Sequence, residues 1–367
     1  MAKYSGQLTS SAMAFIVMST LMTAMLTPSC AKSVAMFVFG DSLVDTGNNN
    51  FIPSLARANF PPNGLDYPTR KATGRFCNGK IISDLISDYM GTPSIKSYLD
   101  PSNDESSLLL GANFASAGAG ILNTTGRLFL TVLTVEQQFG LFAEYKQRVA
   151  GFIGQAAMEN LVSTALFSLT FGGNDYINNY LMGPARSNKL YTLPQWQDIL
   201  ISTYKGQLKQ LYGLGARKFS ISDLGPLGCI PSQLNINKSP DGSCVPKLQN
   251  IAINFNKALK AITEELNAEL PDATYVYVNG FQMSMDYITN PTAYGLQVSN
   301  SACCGQGKYN GFLICNRLSK VCADRTKYVF WDPYHPTETV NRMVTQRVLN
   351  GPPSDLSPVN IRQLVGI

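Results

Sequence analysis

Short apolar runs that break off at glycine or polar turns recur along the chain, and longer segments with apolar residues at helical spacing lie between them. This alternation predicts an α/β fold, a central and mostly parallel sheet flanked by helices. The runs place strands over 36–39, 108–110, 165–171, 218–222, 274–278 and 328–331. The helical spacing places helices over 81–90, 135–149, 196–211 and 247–266. Ligands of open α/β sheets bind beyond the carboxyl ends of the strands. Chemistry is therefore expected at Gly40-Asp41-Ser42, Gly111-Ala112-Asn113, Gly172-Gly173-Asn174-Asp175 and Asp332 through His335.

The N-terminus reads differently. Lys3, an apolar stretch over about 12–26 and small residues around Ser29, Cys30 and Ala31 have the layout of a secretory signal peptide over residues 1–31. The stretch is shorter than the roughly 20 residues that span a bilayer, and Ser19, Thr20 and Thr23 interrupt it. No later segment has the character of a spanning helix and no Pro/Gly/Ser-rich linker divides the rest, so residues 32–367 are expected to form a single domain, secreted to the extracellular space or cell wall. A net charge of +5, not gathered into a basic stripe, argues against nucleic acid as partner.

Cysteine usage points to the same compartment. Of eight cysteines, Cys229, Cys244, Cys303, Cys304, Cys315 and Cys322 lie late in the chain, and their spacing favours disulfides in an oxidising environment. Zinc would call for CxxC pairs or several histidines, and neither is present. A Cys229–Cys244 bridge would close a polar loop and contribute on the order of 3 kcal/mol in the chain-entropy model. Cys77 is left as the odd thiol. Two sequons, at Asn123 and Asn237, agree with secretion.

The single histidine, His335, narrows the chemistry. A serine becomes a nucleophile when a base takes its proton, an acid orients the base, and donors receive the charge on the tetrahedral intermediate. Ser42 follows the first run, Asp332 and His335 follow the last, and Gly118 and Asn174 lie in turns between. The three-residue step from Asp332 to His335 lets both side chains project from one loop. Asn174 offers an amide donor, and Gly118 permits close backbone approach. Taken singly, each feature has a plainer explanation. Ser42 would serve as a helix N-cap, Gly172-Gly173-Asn174-Asp175 as an ordinary turn, and the run Asn48-Asn49-Asn50 as a hydrogen-bonded turn rather than a sugar site. One histidine excludes HExxH chemistry, and neither a GxSxG elbow, a GxxxxGK[ST] loop nor a dinucleotide fingerprint occurs.

Together the motifs carry a resemblance. Phe37 through Asn50, with Gly40-Asp41-Ser42-Leu43 at its centre, resembles the opening block of plant GDSL esterase/lipases of the SGNH hydrolase superfamily. Gly111 through Ser116 with Gly118, then Gly172-Gly173-Asn174-Asp175, then Asp332 through Thr337 are similar to the following blocks, and the likeness runs from 36 to about 348. The resemblance implies a three-layer α/β/α flavodoxin-like fold and a serine esterase or lipase that works without a cofactor on an ester or lipid. It implies Ser42 as nucleophile, His335 as base and Asp332 as its orienting acid, with Ser42, Gly118 and Asn174 as oxyanion donors. Gly111 and Gly120 are the alternatives to Gly118. The rival activities are acyl transfer to another alcohol, as in relatives that build cutin, and binding without turnover. Loops 180–193 and 297–327 are expected to set the substrate.

Overall fold

The computed structural model describes residues 1–2, 34–182 and 187–367. The chain divides into two units, residues 1–32 and 33–367. Residues 3–31 of the predicted leader, Cys30 among them, lie outside the described residues.

Six strands of the second unit form one sheet in the order β10-β5-β4-β3-β1-β2. They are β1 (Met36–Gly40), β2 (Gly111–Asn113), β3 (Leu166–Thr170), β4 (Lys218–Ser222), β5 (Thr274–Val278) and β10 (Leu356–Ser357). β1 to β5 pair parallel, and only the edge strand β10 runs antiparallel. The parallel order 2-1-3-4-5 is the flavodoxin-like one, whose topological switch point falls between β1 and β3. All five residues of β1 are buried, and alternate residues of a strand point to opposite faces, so both faces of the sheet are covered. The covering helices are those the apolar spacing predicts, now α1 (Ile82–Tyr89), α3 (Val135–Ile153), α5 (Leu193–Gly213) and α7 (Pro246–Glu269).

A row of aromatic side chains in register ties four strands together: Phe37 opposite Phe167, Phe167 opposite Phe219, and Phe219 opposite Tyr275. The last pair stacks with centroids 4.3 Å apart. Phe142 and Tyr145 of α3 meet Phe37 at 5.0 Å each, which places α3 against this face. Aromatic pairs of this kind add about 0.5–1.5 kcal/mol each beyond the area they bury.

Two sequence expectations are corrected. Residues 108–110 are not a strand. Asp104 caps a single helical turn, α2 (Glu105–Leu108), accepting from Ser107 N, and the strand begins only at Gly111. Gly111-Ala112-Asn113 is thus the strand itself, and the turn beyond it starts at Phe114. The run 328–331 does form a strand, β9 (Tyr328–Phe330), but it pairs with β6 (Val298–Ala302) in a separate two-stranded sheet. An apolar run shows that a segment is buried, not which partner it finds.

Candidate active site

Ser42 stands directly beyond the carboxyl end of β1, and Asn174 just beyond that of β3, so both lie at the switch point. Gln138 of α3 holds the end of β1 in place. Its Nε2 donates to Gly40 O at 3.0 Å and its Oε1 accepts from Gly40 N at 3.0 Å.

Asp332 and His335 reach the same place from the separate β6–β9 sheet. Their loop is closed by Trp331 N donating to His335 O at 2.8 Å. Thr337 then caps α9 (Glu338–Asn350) and also donates to Tyr328 O, so the loop is pinned at both ends. The cysteine-rich segment backs this loop: Cys303 N and Cys304 N donate to the carbonyls of Phe330 and Trp331. Its disulfides join Cys303 to Cys322 and Cys304 to Cys315, and the third joins Cys229 to Cys244 as the sequence suggests. Cys77 is free and buried, and burial pushes its thiol far up, which keeps it inert.

The three groups meet in one hydrogen-bonded line. Ser42 Oγ lies 2.7 Å from His335 Nε2. His335 Nδ1 lies 2.7 Å and 2.9 Å from the two carboxylate oxygens of Asp332. Asp332 also accepts from the backbone N–H groups of Tyr334 and His335, which hold the carboxylate against the ring. With Nδ1–H donating to Asp332, Nε2 carries the lone pair that faces the Ser42 hydroxyl. Asp332 and His335 are buried, Ser42 is half-buried, and Phe76 packs on the imidazole with centroids 5.0 Å apart.

The expected oxyanion donors are arranged less simply. Asn174 Nδ2 donates to Ala119 O at 2.9 Å and to Asp41 Oδ2 at 3.3 Å, while its Oδ1 accepts from Asn178. The amide is engaged, so an oxyanion would displace one of those bonds. Gly118 lies in the turn after β2 at φ +88, and a side chain there would strike the Phe129 ring. Neither its N–H nor that of Ser42 has an acceptor among the described residues. Gly111 is at the wrong end of the sheet, paired with Met36 at the start of β1. Asn123 and Asn237, the sequon asparagines, are exposed, although Thr125 of the first sequon is buried.

Residues that sequence reasoning passed over complete the surroundings. Asp45 and Asp175 sit in the quoted motifs without a role. Burial, outweighing their hydrogen bonds, pushes both carboxyls up to about 6. Gln138 left one trace in the sequence: a polar residue inside the apolar stripe of Val135, Phe139 and Phe142.

Comparison with known proteins gives the family. The family described as GDSL-like Lipase/Acylhydrolase matches residues 36–348. The chain belongs to that family. It is 46% identical over 332 residues to the Arabidopsis thaliana protein GDSL esterase/lipase LTL1, covering 90% of each chain. It is 44% identical over 333 residues to GDSL esterase/lipase At4g28780 of the same plant, covering 91% of each. Such relatives identify this GDSL protein as a carboxylic-ester hydrolase with an ester or lipid substrate. Among the described residues, no helix is long and apolar enough to cross a membrane.

Proposed function

We propose that the chain is a secreted serine esterase, a single hydrolase domain over 32–367, that works through an acyl-enzyme on Ser42. The carrying observation is the line Ser42 Oγ–His335 Nε2–Asp332, with contacts of 2.7 Å on each side of the ring. As Oγ attacks the ester carbonyl, its proton passes to Nε2, and the Asp332 carboxylate stabilises the imidazolium. The oxyanion takes the N–H groups of Ser42 and Gly118 and the Asn174 amide, which gives up its longer contact with Asp41. Histidine returns the proton to the leaving alcohol. Water then enters along the same path, and its attack releases the acid and restores Ser42. Secretion is supported by the leader-like N-terminus and by three disulfides, which persist in oxidising compartments. In that compartment Asn123 and Asn237 would carry glycans.

The test is made with a chromogenic ester under conditions that accumulate the acyl-enzyme. Intact-mass and peptide analysis should find one acyl group on Ser42, and free acid should exceed any transfer product when a polyol competes with water. An acyl group on another residue would remove Ser42 from the mechanism. Transfer product in excess of acid would make the protein an acyltransferase.

A further inference from the structure

Seven consecutive residues, Ser116 to Leu122, form the turn that carries Gly118, and nearly every amide in it is tied down. Ser116 N donates to Gly40 O, and Ala119 N to Ser116 O. Ala117 N donates to Asp45 Oδ2 at 3.1 Å. Ile121 N and Leu122 N donate to the two oxygens of Asp175 at 2.7 and 3.1 Å, and Thr125 Oγ1 donates to the same carboxylate. Only the amides of Gly118 and Gly120 are left without an acceptor. The absence of a side chain at Gly120 is what lets Asp175 approach, since a Cβ there would lie 2.5 Å from its Oδ2.

Asp45 does more than hold one amide. Its Oδ1 accepts from Gly47 N and Asn48 N, which folds the segment after Ser42 into a tight turn. That turn delivers Asn49, whose Nδ2 donates to Ala117 O and whose Oδ1 accepts from Ser116 Oγ. The segment bearing Ser42 and the turn bearing Gly118 are therefore locked to each other within a few residues of both.

We propose that Asp45 and Asp175 are positioning residues that clamp the two ends of this turn, so that the Gly118 N–H is held free and aimed at the oxyanion. Neither touches the substrate. Both fully buried carboxylates are costly at neutral pH, and each uses its oxygens to accept hydrogen bonds that a neutral amide could not all accept. Preorganised donors of this kind account for a large part of the rate in acyl transfer. The inference rests on the oxyanion assignment of Gly118, and its test separates the two.

The readout is the ratio of turnover of an ester to that of its thionoester, in which sulfur, a poor hydrogen-bond acceptor, replaces the carbonyl oxygen. A hole that works makes this ratio large; a damaged hole loses most of it. Asp45→Asn keeps the size of the side chain but faces Ala117 N–H, or the Gly47 and Asn48 amides, with an NH2 group. Asp175→Asn does the same at Ile121 or Leu122. Each variant is measured at a temperature where circular dichroism shows it folded. The expected result is a fall in kcat for the ester of about 10²-fold, a KM within about threefold, and a ratio at least ~10-fold smaller than wild type. If ester and thionoester slow equally, or neither slows, in both variants, the clamp has no part in the oxyanion hole. If wild type itself shows no preference for the ester, the assignment of the hole fails first, and the clamp with it.

Discussion

Asp41 stands one residue before Ser42, and burial pushes its carboxyl up to about 7 despite the Leu43 N–H and the nearby His335. The structure thus puts a titrating carboxyl beside the single histidine. Ionised, Asp41 accepts from Leu43 N and from Asn174 Nδ2; protonated, it turns a donor toward one of them. Activity should therefore fall as pH drops through about 7 and Asp41 takes up its proton, and Asp41→Asn, which cannot ionise, should lose that step. The same step persisting in Asp41→Asn would contradict this. Stability runs the other way. A carboxyl whose folded pKa is raised from 3.8 to about 7 binds more protons in the folded state, so its contribution is full below 3.8 and is lost as pH rises through 7. Asp45 and Asp175, raised to about 6, act in the same sense. These three carboxylates are costs that the site bears at neutral pH. None was legible in the sequence, where an acid beside a nucleophile looks the same whether buried or wet.

At the scale of elements, the β9–α9 junction carries His335. Thr337 is fully buried, caps α9 through Val340 N, and donates to Tyr328 O at 2.8 Å. Thr337→Ala removes the cap, worth about 1 kcal/mol, and a part-buried hydrogen bond to the Tyr328 carbonyl worth about 0.5–1.5 kcal/mol. Its urea midpoint should drop accordingly, and an unchanged midpoint would show the junction held by other contacts. Helical spacing made α3, α5 and α7 legible within a few residues, because that signal is local. The strands were legible where long apolar runs met long partners. β10 was not, being two residues long, and the run 328–331 gave no sign that its partner would be β6. Pairing depends on residues far away in the chain.

For the whole molecule, the order 2-1-3-4-5 places the ends of β1 and β3 side by side, and the second sheet brings Asp332 and His335 to them. The motifs at strand ends thus pointed to groups that the structure brings together, and the sequence offers one histidine for the proposed base. What they left open was how the groups are held: Gln138 on Gly40, Asp45 and Asp175 on the Gly118 turn, and the disulfide-bonded segment behind Trp331. Those supports join groups that lie tens of residues apart in the chain. The account stands on Ser42 as nucleophile, and the measurement that tests it most directly is ester turnover by purified Ser42→Ala beside wild type. A small truncation on a half-buried surface turn should leave melting unchanged while kcat/KM falls at least ~10³-fold. Equal turnover by the two proteins would contradict the mechanism.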